Sequence, residues 1–155
     1  MATIIYLKDN GESQVAKHIA DIARMGNQGD SNARALAKYI RQGLTQLTNV
    51  GVPPNKQLMM VGKEDNGDLR TFNLLKPLTS QYPLNEFRIN RSTPGAFRAI
   101  FFEYNYEGEQ LLIFTKSVLK QGDPNPPEFQ VAMRESEALY VKFHENPNLY
   151  LGEDD

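Results

Sequence analysis

The stretch "LNEFRINRSTPGAFRAIFFEYN", residues 84–105, decides how the chain is read. Two runs that alternate polar and apolar residues flank the turn Ser92-Thr93-Pro94-Gly95, which is the pattern of paired antiparallel strands. Successive side chains of a strand leave opposite faces, so Glu86 and Arg88 share one face while Phe87 and Ile89 take the other. On the next strand Arg98 shares a face with Ile100 and Phe102. Arginines thus stand on strands, at polar places of the alternation. They are either edge charges that discourage sheet-to-sheet association or cations aimed at something anionic.

The surrounding chain supplies the rest of an α+β domain. Residues 2–7, ATIIYL, are short and β-branched and read as a strand ended by Asp9-Asn10-Gly11. From Ser13 the apolar spacing becomes helical through Val15, Ile19 and Ile22, with Gly26 as a stop. Asp30 and Ser31 offer N-cap oxygens to a second helix with the stripe Leu36, Ile40, Leu44 and Leu47. The short polar loop between them predicts an antiparallel helical hairpin. Residues 58–61 and 69–75 flank the turn Glu64-Asp65-Asn66-Gly67, a second β-hairpin signal. Residues 97–104 and 110–115 read as two further strands. Pro126-Pro127 suits the first turn of a last helix carrying Phe129, Ala132, Met133, Leu139, Tyr140 and Phe143. The order predicts one domain over 1–150 with an acidic tail at 151–155. Its helical hairpin and C-terminal helix should pack on one face of a small twisted antiparallel sheet.

Bulk composition narrows the function classes. A chain of 155 residues without cysteine has no disulfide framework and no thiolate nucleophile or ligand. The absence of a basic-then-apolar leader and of any run near 20 apolar residues leads us to expect a soluble, cytoplasmic protein with no membrane partner. Net charge is −2, but residues 121–155 hold eight acidic side chains against Arg134 and Lys142. That segment is −6, which leaves +4 on residues 1–120. A mildly basic body is compatible with nucleic-acid contact.

Lys116 closes the third strand, on the face that strict alternation gives to Leu112 and Phe114, and Lys120 follows one turn of chain later. Cations from three neighbouring strands near one region are what a phosphodiester requires: Arg offers a planar fork, Lys a compact charge. Attack of an RNA 2′-hydroxyl on the adjacent phosphorus builds negative charge that fixed cations stabilise. A base is also needed, and a lysine of lowered pKa, a tyrosine or Glu86 could serve. Glu86 could equally be a structural ion-pair partner of Arg88. Neither His18 nor His144 lies near these strands in sequence, and no metal-ligand spacing stands out.

In order along the chain, Lys76-Pro77-Leu78, the strand Leu84–Ile89, "FRAIFF" at 97–102, "LLIFTK" at 111–116, Lys120, a proline-containing loop and a helix with Glu128, Ala132, Arg134 and Tyr140 resemble the RelE/HigB-like toxin superfamily, in its phage-derived branch. The resemblance spans about residues 30–143. It implies a metal-independent endoribonuclease without cofactor, cutting mRNA on the ribosome and neutralised by a cognate helix-turn-helix antitoxin. It would give catalytic roles to Arg88, Arg98 and Lys116 and RNA contacts to Lys76, Lys120 and Tyr140. The alternative is a non-enzymatic, protein-binding member of the same fold from a phage or mobile element.

Overall fold

The first two helices begin where the sequence supplies a cap. In this computed structural model, which describes residues 1–123 and 125–151, Ser13 Oγ accepts the Ala16 amide at the start of α1 (Gln14–Asn27). Asp30 accepts the Asn32 and Ala33 amides at the start of α2 (Ser31–Val50). These bonds satisfy donors that the first helical turn leaves open. Gly26 lets the two helices close on each other, because a Cβ there would lie 2.7 Å from the Arg34 Cα. Pro127 occupies the first turn of α3 (Pro127–Glu145). A short α4 (Pro147–Tyr150) follows, which the sequence reading does not anticipate. Pro124 of the preceding loop and residues 152–155 of the expected acidic tail lie outside the described residues.

The strands are β1 (Ala2–Tyr6), β2 (Met59–Lys63), β3 (Leu69–Asn73), β4 (Leu75–Pro77), β5 (Asn85–Ile89), β6 (Ala96–Tyr106) and β7 (Glu109–Lys120). Five form one sheet in the order β1-β7-β6-β5-β4, and β2 and β3 form a separate two-stranded ribbon. The α+β class stands, with two corrections to the strands. The sheet is mixed rather than antiparallel, since β1 runs parallel to β7 with Ala2 opposite Gln110 and Tyr6 opposite Phe114. The run 69–75 is two strands, because the chain leaves β3 at Leu74, whose amide turns back to the Leu58 carbonyl, before β4 joins β5.

Helices cover both faces of the sheet, not one. The α1–α2 hairpin packs Val15, Ile22, Leu36, Ile40 and Leu47 on Phe87, Phe97, Phe101 and Phe114. On the opposite face, α3 packs Phe129, Ala132, Leu139 and Phe143 on Ile100, Phe102, Leu111 and Ile113. The physical reason is legible in Phe97–Phe102: apart from Arg98 the run is apolar on both faces, so each face needs a cover. Fully burying each such side chain contributes about 1.5–3 kcal/mol.

Between β6 and β7 the register runs from Ala96 opposite Lys120 to Ile100 opposite Lys116, and then Phe101 faces Phe114. Thr115 is thus an extra residue, a β-bulge. Its buried hydroxyl donates to the Ile100 carbonyl (3.1 Å), which leaves it accepting from Ser136 of α3 (2.6 Å). The bulge reverses the alternation beyond it.

Candidate anion-binding site

That reversal corrects the placement of Lys116. Without Thr115 as an extra residue, Lys116 would follow Leu112 and Phe114 onto the face covered by α1 and α2. It instead stands in a cross-strand row with Lys76, Glu86 and Ile100, on the face covered by α3. The next row is Arg88, Arg98 and Val118, and Lys120 lies beyond it opposite Ala96.

Glu86 sits in the middle of these cations and is buried. The Arg98 Nε lies 3.3 Å from the Glu86 Oε2, with the two side chains 12% and 4% exposed. This contact is Coulombic and not an aligned hydrogen bond, since Nε makes no hydrogen bond among the described residues. Arg98 Nη1 donates to the Phe97 carbonyl at 3.3 Å. Burial lowers the Arg98 pKa; Glu86 opposes the shift and Arg88 adds to it. Arg88 is half-buried and donates its Nε to the Asn73 carbonyl at 3.1 Å, so its position is set by backbone of β3.

Lys120 is held with its Nζ 4.6 Å from the centre of the Phe129 ring, a cation–π contact from the first turn of α3. Its pKa is lowered, first by burial and then by Arg98, with Lys76 and Arg88 adding to the shift and Glu86 opposing it. Four cations and the buried Glu86 carboxylate therefore act on one another. A lysine so placed gives up its proton more readily than one in water.

Two of the expected site residues stand apart from this group. Lys116, 16% exposed, is held between Asp9 (3.7 Å) and Glu135 (3.9 Å). Tyr140 belongs to an aromatic cluster farther along the same face, stacked on Tyr82 (4.9 Å) and against His144 (4.1 Å) and Phe102 (4.9 Å). The structure thus brings together Lys76, Arg88, Arg98 and Lys120, and places Lys116 and Tyr140 elsewhere on the α3 face.

Sequence reasoning passed over several of these neighbours. Asp9 and Glu135 lie more than a hundred residues from each other, and nothing local ties either to Lys116. Phe129 was legible only as a core position. His18 was set apart from the sheet by sequence distance, yet its Nδ1 lies 2.7 Å from the Ser117 Oγ and its ring packs on Phe97. Burial lowers its pKa, with Asp21 opposing. That contact pins α1 to the opposite face of β7.

Among the described residues no cluster of three or more His, Asp or Glu side chains is placed to hold a metal ion, and no helix is long and apolar enough to cross a membrane. Comparison with protein-family models, with curated proteins and with solved structures finds no match.

Proposed function

We propose that the chain is a RelE/HigB-like toxin, an endoribonuclease that binds the backbone of an mRNA at Lys76, Arg88, Arg98 and Lys120. The observation that carries this reading is the convergence of cations: Lys76, Arg88 and Arg98 come from three neighbouring strands in two successive cross-strand rows, with Lys120 beyond them on β7. Cations gathered on half-exposed strands suit an incoming phosphate.

In the reaction, the RNA 2′-hydroxyl gives up its proton as its oxygen bonds to the adjacent phosphorus, the bond from phosphorus to the 5′-oxygen breaks, and a proton is delivered to that leaving oxygen. Arg88 and Arg98 would stabilise the charge that develops on the non-bridging oxygens. Lys120, whose proton is loosened by burial and by neighbouring cations, is the group suited to exchange protons. Controlled expression tests the reading through growth and translation. The parent should arrest both, and an Arg88→Ala, Lys120→Ala variant should not. A harmless parent, produced at full level and folded, contradicts it.

One observation favours the non-enzymatic alternative. Lys116 is engaged by Asp9 and Glu135, and Arg98 by Glu86, so two of the three residues to which the resemblance gives catalytic roles have carboxylate partners. On that reading the face holds a partner protein, and RNA is left intact in the same experiment.

A further inference from the structure

Phe129 stands where the chain passes from β7 into α3, and its place is set by the helix and the core. Its amide donates to the Pro126 carbonyl at 3.0 Å in the first turn of α3. The residue is 8% exposed and packs in the core of the α3 face. The Lys120 Nζ, at the end of a flexible stem, lies 4.6 Å from the ring centre. Around that ammonium stand Arg98, Lys76 and Arg88, each repelling it, and Glu86, which attracts it but also engages Arg98. Like charges at such a point drive a mobile lysine outward into water. An aromatic face attracts an ammonium through its quadrupole, yet carries no net charge and takes no proton. Lys116 is the contrast, since Asp9 and Glu135 hold it with carboxylates that offset its charge.

We infer that Phe129 is a positioning residue of the proposed reaction, its ring keeping the Lys120 ammonium within the cation cluster while leaving the charge of that ammonium in place. The inference rests on reading the cluster as an RNA site. It gives the first turn of α3 a part in the chemistry, acting through Lys120. A ring that only filled the core could be exchanged for another apolar side chain with a loss of stability alone. A ring that positions Lys120 has a further effect. Without it the ammonium swings toward water and away from Arg98. Both causes that lower its pKa, burial and the neighbouring cations, then relax together.

The test compares Phe129→Leu and Phe129→Met, which lose the aromatic face, with Phe129→Tyr, which keeps it, all in the full chain. Either of the first two suffices if the other does not fold. Titration of the Lys120 ammonium is followed by NMR on lysine labelled at Cε, with no RNA present. The leucine and methionine variants should titrate at higher pH than the parent, nearer an ordinary lysine, and the tyrosine variant with the parent. Cleavage of mRNA on translating ribosomes should fall roughly tenfold in the first two, as expected for the loss of one cation–π contact. The limb of the pH–rate profile that follows Lys120 should move up with the titration, and tyrosine should restore most of the rate. The inference is overturned if the leucine and methionine variants titrate at Lys120 with the parent or at lower pH, whatever their stability, because the ring then does not set where the ammonium sits. A folded parent that cuts no message contradicts the RNA reading instead, and the RNA-free titration still decides whether Phe129 holds Lys120.

Discussion

The Arg98 Nε lies 3.3 Å from the Glu86 Oε2, diagonally across β6 and β5, with both side chains largely buried, yet it has no aligned acceptor among the described residues. The carboxylate holds the guanidinium by charge and leaves one donor unsatisfied. The unsatisfied Nε of this pair is itself shut off from solvent. Removing one member is costly, because it strands the other without compensation.

Glu86→Gln should therefore destabilise the fold by about 3–5 kcal/mol, read as a lower denaturant midpoint with unchanged slope. Adding Arg98→Met to Glu86→Gln should recover much of that loss. If Glu86→Gln unfolds at the parent's midpoint, the pair is not buried as described.

The Thr115 bulge should be separately measurable. Thr115→Val removes the hydroxyl that bonds Ile100 and Ser136 and leaves the Ser136 hydroxyl buried without that partner. A loss of about 1–3 kcal/mol is expected. Thr115→Ser keeps the hydroxyl and should lose less.

The bulge also marks where the sequence stopped being informative. Pattern and punctuation were enough for the helical hairpin, the start of the first helix at Ser13, the capped start at Asp30, the paired arginine strands and the last helix at Pro127, because each depends on neighbours within a turn or two. The phase of Lys116 was not legible: one extra residue inverts it, and the Ser136 that supports the bulge lies on another element. The parallel pairing of β1 with β7 was likewise hidden, since a short β-branched run carries no direction of pairing. Of the site, Arg88, Arg98, Lys76 and Lys120 could be listed from the alternation and the resemblance. The engagement of Lys116 by Asp9 and Glu135 depends on packing that no local spacing encodes.

Alkaline pH should weaken the contact between α2 and the β2–β3 ribbon. Tyr39 is fully buried, donates its hydroxyl to Glu64, and has its pKa pushed up from 10.0 to about 12, first by burial and then by that bond. Arg91 also holds Glu64, at 3.2 and 3.3 Å. A folded-state pKa above the unfolded value favours the protonated form in the fold. The stabilisation is full below pH 10 and fades as pH rises toward 12. Tyr39→Phe should flatten that part of the stability–pH curve. The Glu64 pKa is lowered, chiefly by the Tyr39 bond, so its contribution is present above the ordinary carboxylate range and fades as pH falls through it.

RNA affinity should be salt-dependent and should respond unevenly to single changes. For a single strand, each lost phosphate contact reduces the slope of log affinity against log salt by about 0.7. Arg88→Ala and Lys120→Ala should each produce such a reduction. Lys116→Ala should leave the slope nearly unchanged, because Asp9 and Glu135 already engage it.

The central claim is that the cations gathered around Glu86 act on an RNA phosphate, and mRNA cleavage on translating ribosomes tests it most directly. Purified chain should cut the message at discrete positions, with Arg88→Ala and Lys120→Ala variants of parental thermal stability cutting at least about a hundredfold more slowly, in the range seen when one charge-stabilising donor is removed. Intact message with the folded parent, or equal cleavage by the parent and both variants, would contradict the account.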